Sequence, residues 1–309
     1  MTITNLEEYK QQAQGKEFLG RVVFFCQFDA IVPFDELKDA LDAAGLGDHC
    51  PRRPSSIDVF RRVSTAAQRK KIDVGDGKYV NILVRDVSTD EDQLLRRVVV
   101  ETVDAQGKRL DYSAEHDLIF DRASQSMRVE KLTFYSTPAD GAVKEITANY
   151  ARLQGTIDAG TVRAVVSRVL KAHHAISARP TGGADFLLEA NAGVVDALET
   201  LPGKIPGCWI HAIPLIADAK QREYVKTQVE DDVAAEVDSA LNEMRKLLAA
   251  GEEITSAKFV SVNNQYKQLT TKINVYAEKL DDQLDGAKAR LTIFSTTMAA
   301  LASRVKVAA

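Results

Sequence analysis

Apolar positions set the architecture most clearly in the last third of the chain, from Asp218 to Val307. Val262, Tyr266, Leu269, Ile273, Tyr276 and Leu280 recur at steps of four and three, the spacing of a heptad seam. Leu291, Phe294, Met298, Leu301 and Val305 resume the pattern, and Leu284 and Ala287 carry it across a phase slip near Gly286. This predicts one long helix or two nearly collinear ones. Val229, Val233, Val237, Leu241, Met244 and Leu248 form a second stripe, which stops at Ala249-Ala250-Gly251. Glycine is a common helix stop. A short link makes neighbouring helices double back, so Leu269, Ile273, Tyr276 and Leu280 should face Leu241, Val237, Val233 and Val229. The stretch from Leu291 onward then outruns its partner and needs another surface, on the body or on another chain.

Before Asp218 the period changes. Arg21 to Phe28 is an apolar run that reads as a buried strand. Pro33 to Ala44 places Leu37, Leu41 and Ala44 on one helix side and stops at Gly45. Ser55 or Ser56 caps a helix over Ile57 to Gln68, with Val59, Phe60 and Val63 inward. Four segments follow with short connections: Tyr79 to Val87, Gln93 to Asp104, Arg109 to Asp121, and Met127 to Phe134. Alternation and spacing make them an antiparallel meander, with the Arg21 to Phe28 strand expected at one edge. Two helices come next, one through Val143, Ile146, Tyr150 and Leu153, the other over Gly160 to Ala175. Short strands at Ala184 to Leu188 and Cys208 to Pro214 flank a helix over Ala192 to Leu201. Trp209 reads as an anchor between body and hairpin. At the start, Thr4 or Asn5 caps a short helix with Glu7 and Glu8 in its first turn. The fold class is therefore α+β: an antiparallel β-meander body with flanking helices, then a long, coiled-coil-like C-terminal helical hairpin. Three stretches follow from this order: 1–135, 136–216 and 217–309.

Composition narrows the class. With 45% hydrophobic and 27% charged residues over 309 positions, the chain can bury a sizeable core and is not a disordered polyelectrolyte. No run reaches the roughly 18–20 apolar residues of a membrane helix, and the first residues lack the basic end and apolar centre of a secretory leader. Cys26, Cys50 and Cys208 have no CxxC spacing, which suits a reducing compartment. The expected location is cytoplasmic, with no membrane partner.

Charge is uneven. Arg52, Arg53, Arg61, Arg62, Arg69, Lys70 and Lys71 oppose a single acid, Asp58, giving +6 over 52–71 within a chain of net charge −4. Such a cluster could contact phosphates, with Arg96 and Arg97 adding to it from the sheet. It could equally be a solvated face paired with acidic neighbours, and Phe60 is its lone aromatic, where single-strand binders use several. Glu115, Asp117 and Asp121 fall on one face of a predicted strand and His116 on the other. They could hold a hard cation, although a polar outer sheet face has the same appearance. Cys208 with His211, and His49 with Cys50, have metal-like spacing but complete no zinc pattern. His173 and His174 close a helix, where cations favour the C-terminal dipole. Cys26 reads as a core thiol. No phosphate loop, dinucleotide fingerprint or hydrolase motif occurs, so neither a cofactor nor a metal is expected.

Three functions follow. The first is a non-enzymatic interaction or scaffold protein, a homo-oligomer or a binder of a protein partner through the hairpin. Its interface seam would be Val262, Tyr266, Leu269, Ile273, Tyr276, Leu280, Leu291, Phe294, Met298 and Leu301. The second is a nucleic-acid-binding accessory protein using 52–71. The third is a metal-dependent enzyme on the acidic strand 111–121. For the seam, the pattern predicts that Ile273→Asp destabilises strongly in thermal melts, while Lys272→Asp, off the stripe, changes little.

Overall fold

A computed structural model of the chain describes residues 17–28, 31–133, 137–179, 182–250 and 254–304. The helix expected around Thr4, the link at 251–253 and Val305 lie outside the described residues. The chain is α+β and divides into two compact units, neither continuous in sequence. One takes residues 29–39 and 50–162, the other 1–28, 40–49 and 163–309. Two helices, α1 (Phe34–Ala43) and α4 (Ala159–Ala172), run across the division.

The first unit is built on a five-stranded antiparallel meander. Its strands are β3 (Arg69–Gly75), β4 (Lys78–Thr89), β5 (Gln93–Asp104), β6 (Arg109–Asp121) and β7 (Ser126–Lys131), in sequence order. Alternation puts Val80, Ile82, Val84, Val98, Val100, Leu118 and Phe120 on one face, where they pack with helices α2 (Ser56–Ala66) and α3 (Ala139–Leu153). Helix α2 starts as its residues dictate. The Ser55 hydroxyl accepts from the Asp58 N–H, and the Asp58 carboxylate accepts from the Ser55 N–H, closing a capping box. A short antiparallel pair, β2 (Val32–Pro33) with β8 (Thr156–Ile157), completes this unit.

Strand β3 corrects the expected sheet. The edge is taken by this segment, which follows α2, and not by the strand of Arg21 to Phe28. Every β3 residue is exposed, so it carries no alternation by which a sequence could reveal it. Its outer side is guarded: the register shifts between Arg69 and Ile72, and Lys71 adopts φ +56°. A bulge and paired lysines on an edge strand discourage a further strand from adding.

The second unit holds an antiparallel sheet in the order β11-β1-β10-β9, formed by β1 (Phe18–Gln27), β9 (Ile176–Ser177), β10 (Ala184–Leu188) and β11 (Cys208–Ile216). Helix α5 (Ala192–Glu199) packs against β1 and β11. The outer edge of β11 is closed by side chains and by composition. Glu199 accepts the Ala212 N–H at 3.0 Å, Ile205 O accepts the Cys208 N–H at 3.2 Å, and Pro214 has no N–H to offer. Trp209 is 48% exposed, and its ring lies 6.1 Å from that of His211 on the same strand. Cys26, opposite Trp209 in register, is exposed instead of buried in the core.

Three long helices pack on this sheet: α6 (Ala219–Ala250), α7 (Ser256–Leu280) and α8 (Asp285–Ala302). Helices α6 and α7 form the expected antiparallel hairpin. Lys258 meets Glu243, Lys272 meets Asp232 and Glu236, and Asp282 meets Lys226, so residue numbers rise on one helix as they fall on the other. The collinear continuation is corrected. Asp281 turns left-handed (φ +53°), the Asp282 N–H bonds Ala277 O and the Asp281 N–H bonds Glu278 O, which is a Schellman stop. Leu284 is left-handed too (φ +48°). The chain therefore reverses, and α8 runs back along α6. Arg290 reaches Asp238, Arg304 donates to Leu248 O at 2.8 Å, and the Ile254 N–H bonds Arg304 O. A Cβ on Gly286 would stand 2.9 Å from Glu230 Oε1, so glycine permits the close approach. Val262, Leu269, Ile273, Tyr276, Leu280, Leu291, Phe294 and Leu301 are buried in one cluster with Val229, Val233, Val237 and Leu241, and Tyr266 and Met298 pack on it.

Lys272 is likewise corrected: it is 6% exposed, not a solvated neighbour of the stripe. Ile273→Asp should cost about 4 kcal/mol or more, since deleting a buried aliphatic alone costs about 2–5 kcal/mol. Lys272→Ala should cost about 3 kcal/mol by stranding its carboxylates. Chemical denaturation checks both values. A Lys272 variant as stable as the parent would refute the buried ion-pair reading.

Candidate functional site

The densest chemistry among the described residues lies beside the hairpin seam. Lys272 Nζ donates to Asp232 and, at 2.8 Å, to Glu236. Burial opposes its charge, but Glu236 and Asp232 outweigh that and hold its pKa above the ordinary value. Asp232 also accepts the Ser177 N–H from β9 at 3.3 Å. Asp185, on β10, is raised by burial first and by the Asp232 charge second. Tyr276 is fully buried and donates to His174 O at 3.0 Å. Burial pushes its phenol well above the usual range. His174 sits just past α4 with φ +62°. Burial, and then Lys272, lower its pKa, so the cationic helix-end reading gives way to a neutral imidazole.

Two adjoining hollows open along this network between α6 and α7. One, of about 330 Å³, is lined by Lys171, His174, Ser239, Gln265, Gln268 and Lys272, among others. The other, of about 610 Å³, is lined by Glu236, Ala257, Val260, Ser261, Asn264 and Gln268. Ala257, Val260, Ser261, Asn264 and Gln268 lie on one face of α7, spaced three and four apart. At 100° per residue, the α6 residues that meet α8, Glu230 and Asp238, flank the core stripe on one side. Glu236 and Ser239 flank it on the other. Helix α8 thus fills one side of the hairpin, and the groove occupies the opposite side. Apart from Glu236, the outer half of the groove is uncharged.

A family model described as a family of unknown function matches residues 18–307. The chain belongs to that family, DUF6744. Neither a curated protein nor a solved structure matches it.

The basic segment of this DUF6744 member is largely paired within the chain. Arg52 meets Asp58 at 2.7 Å, Arg62 meets Asp158 at 3.5 Å, and Arg69 holds Glu145 with two bonds of 3.0 and 2.9 Å. Arg53 pairs with Asp35 and lies over the Phe34 ring. The side chains of Arg61, Lys70 and Lys71 have no acidic partner among the described residues. Arg96 does not join a basic surface. It is buried under the last turns of α2, donating to Ser64 Oγ at 2.6 Å, Arg61 O at 3.1 Å and Asp86 at 2.7 Å. A cation there suits the negative end of a helix. Arg97 is held by Asp117 through bonds of 2.7 and 2.9 Å.

The acidic strand does not assemble as alternation suggests. Its register with β5 shifts between Ala114 and His116, which leaves Glu115 as the extra residue of a bulge. Glu115 accepts from Ser113 and from Thr133 at 3.3 Å, Asp117 is taken by Arg97, and Asp121 accepts from the Ser124 N–H at 2.7 Å. His116 is buried, with Nε2 3.0 Å from Asp140. Burial lowers its pKa most, against an opposing pull from Asp140. Among the described residues no group of three or more His, Cys, Asp or Glu side chains is placed to hold a metal ion. The Cys208 thiol is pushed up to about 11, by burial and then by Cys26. No helix among the described residues is long and apolar enough to cross a membrane.

Each depressed histidine binds fewer protons folded than unfolded, so its contribution to stability falls as pH drops below about 6.5. The thermal midpoint should be flat just above pH 7 and fall between about pH 6.5 and 5.5. His174→Asn keeps a residue that tolerates positive φ and should lessen that fall, with His116 supplying the remainder. An unchanged acid limb in the variant would show that His174 does not titrate across folding.

Proposed function

We propose that the chain acts by binding and not by catalysis, as an intracellular interaction or scaffold protein that self-associates through its helical bundle. The observation that carries this is a pair of exposed surfaces on the same three helices that carry little charge. One is the α6–α7 groove. The other is the outer ridge of α8, where Ala289, Ile293, Thr296 and Ala300 share one exposed face. No charged residue occurs from Leu291 to Ser303, and Ile293 is 52% exposed. In a chain with 27% charged residues, the exposed Ile293 on the ridge and Val260 in the groove gain by leaving water, and Ser261, Asn264 and Gln268 beside Val260 supply hydrogen bonds for a seated helix. The ridge of one copy seats in the groove of the next, a coiled-coil-like addition of a fourth helix. The seam residues from Val262 to Leu301 serve this interface indirectly, by holding the three helices together. Three free thiols fit a reducing interior.

A contact between two different surfaces is heterologous and grows beyond a dimer unless it closes into a ring. Light scattering across a concentration series should therefore give a rising mass for the parent chain. Ile293→Glu and Gln268→Arg should each be monomeric alone. Mixed, they should form a one-to-one dimer, because each retains the surface the other has lost. A parent that stays monomeric at high concentration, or variants that do not pair on mixing, would refute the proposal.

The alternative, a nucleic-acid accessory role, rests on Arg61, Lys70 and Lys71 as its unpaired cations. It predicts a mobility shift with DNA or RNA that weakens steeply with salt and is lost in Arg61→Glu. The metal-dependent reading of 111–121 has less support, since its carboxylates each serve a different internal partner.

A further inference from the structure

The turn between α7 and α8 rests on two left-handed residues, neither of them glycine. Asp281 has φ +53°, and Leu284, which is fully buried, has φ +48°. That region is disfavoured for any residue with a side chain, so the reversal is strained at two positions. The same residues also suit a helix. Leu280, Leu284, Ala287, Leu291 and Phe294 are all buried in the seam and recur at steps of four, three, four and three. The apolar stripe therefore runs unbroken through the turn. Two successive steps of four, from Tyr276 to Leu280 and on to Leu284, make a stutter, which a continuous helix absorbs by a local change of winding. Neither glycine nor proline occurs from Ser256 to Asp285. The segment thus fits two conformations, a reversal and a helix.

The reversal is held chiefly by Asp282, which meets Lys226 of α6 at 2.9 Å and accepts the Leu284 N–H at 2.8 Å. Past the turn, the contacts of α8 do not depend on its being in the same chain. Arg290 reaches Asp238 at 3.1 Å, Arg304 donates to Leu248 O at 2.8 Å, and Leu291, Phe294 and Leu301 share one core with the α6 stripe. The α8 of a second copy can make every one of them. A short link under strain favours such an exchange, because opening it relieves the strain while the packing is conserved. We infer that two copies exchange α8 reciprocally, each turn opening into helix and each α8 packing on the α6 and α7 of the other copy. The exchange needs neither the ridge nor the groove, and it closes at two chains because it is reciprocal. Detaching α8 uncovers Leu291, Phe294 and Leu301, so exchange is slow in the folded chain and is reached during folding at high concentration.

The full chain carrying Ile293→Glu, an exposed change that blunts the ridge, separates this exchange from growth through the groove. Refolded from denaturant at low concentration, it should be a monomer by light scattering. Refolded at high concentration, it should give a dimer that dissociates slowly on dilution and does not grow further. Adding Asp281→Gly removes one left-handed strain from the reversal and weakens the open helix. It should raise the dimer Kd about tenfold or more, since each dimer opens two turns. Adding Asp282→Ala instead removes the tie to Lys226 and favours helix, and should lower the Kd severalfold. The inference is overturned if the Ile293→Glu chain stays monomeric after refolding at high concentration, if its mass climbs past two chains, or if either hinge variant leaves the Kd unchanged or shifts it the other way.

Discussion

Tyr276 is the joint on which the helical unit depends. Its ring is fully buried in the seam and sits 6.4 Å from the Phe186 ring of β10, and its hydroxyl donates to His174 O past the end of α4. One side chain thus ties the long helices to the sheet and to the preceding helix. A buried tyrosine is stable there only because its hydroxyl has a partner. The same depth explains the charges around it. Lys272 lies one turn earlier on α7, in a setting that would not tolerate a lone ammonium, and its two carboxylates compensate for lost hydration. A charged network in a heptad seam also fixes the alignment of the helices, because an apolar stripe alone can slip by a turn.

Charge elsewhere in the molecule is spent on closing structure. Lys70 and Lys71 guard an exposed edge strand, Arg96 satisfies carbonyl and hydroxyl oxygens at the end of α2, Glu199 covers the edge of β11, and Arg69 clasps Glu145 on α3. These roles account for most of the basic segment without a polyanion. What carries little charge is then informative: the α8 ridge and, apart from Glu236, the outer half of the α6–α7 groove stand out against a surface otherwise managed by ion pairs.

Much of the fold was legible in the sequence, because its signals are local. The strand at Gln93–Asp104, the strand at Arg109–Asp121, the Ser55 cap and the antiparallel order of α6 and α7 each rest on residue spacing within one or two elements. The misread elements share one property. Strand β3 is exposed on every side chain and shows no period. The bulge at Glu115 breaks alternation through pairing with β5, which no spacing within β6 reveals. The candidate groove was invisible for a related reason: Ala257, Ser261, Asn264 and Gln268 look like any solvated helix face until the far side of the hairpin is filled.

By itself, then, periodicity determined that the chain is α+β, that a meander precedes long helices, and that α6 and α7 run antiparallel. Both period and capping act between neighbours in the chain. Only the tertiary structure decided that α8 folds back, that the first strand pairs with β10 and β11, and that Lys272 is buried. The heptad stripe names the residues that must leave water but not the surface that covers them. Two left-handed residues, Asp281 and Leu284, supply that answer by turning α8 onto its own hairpin.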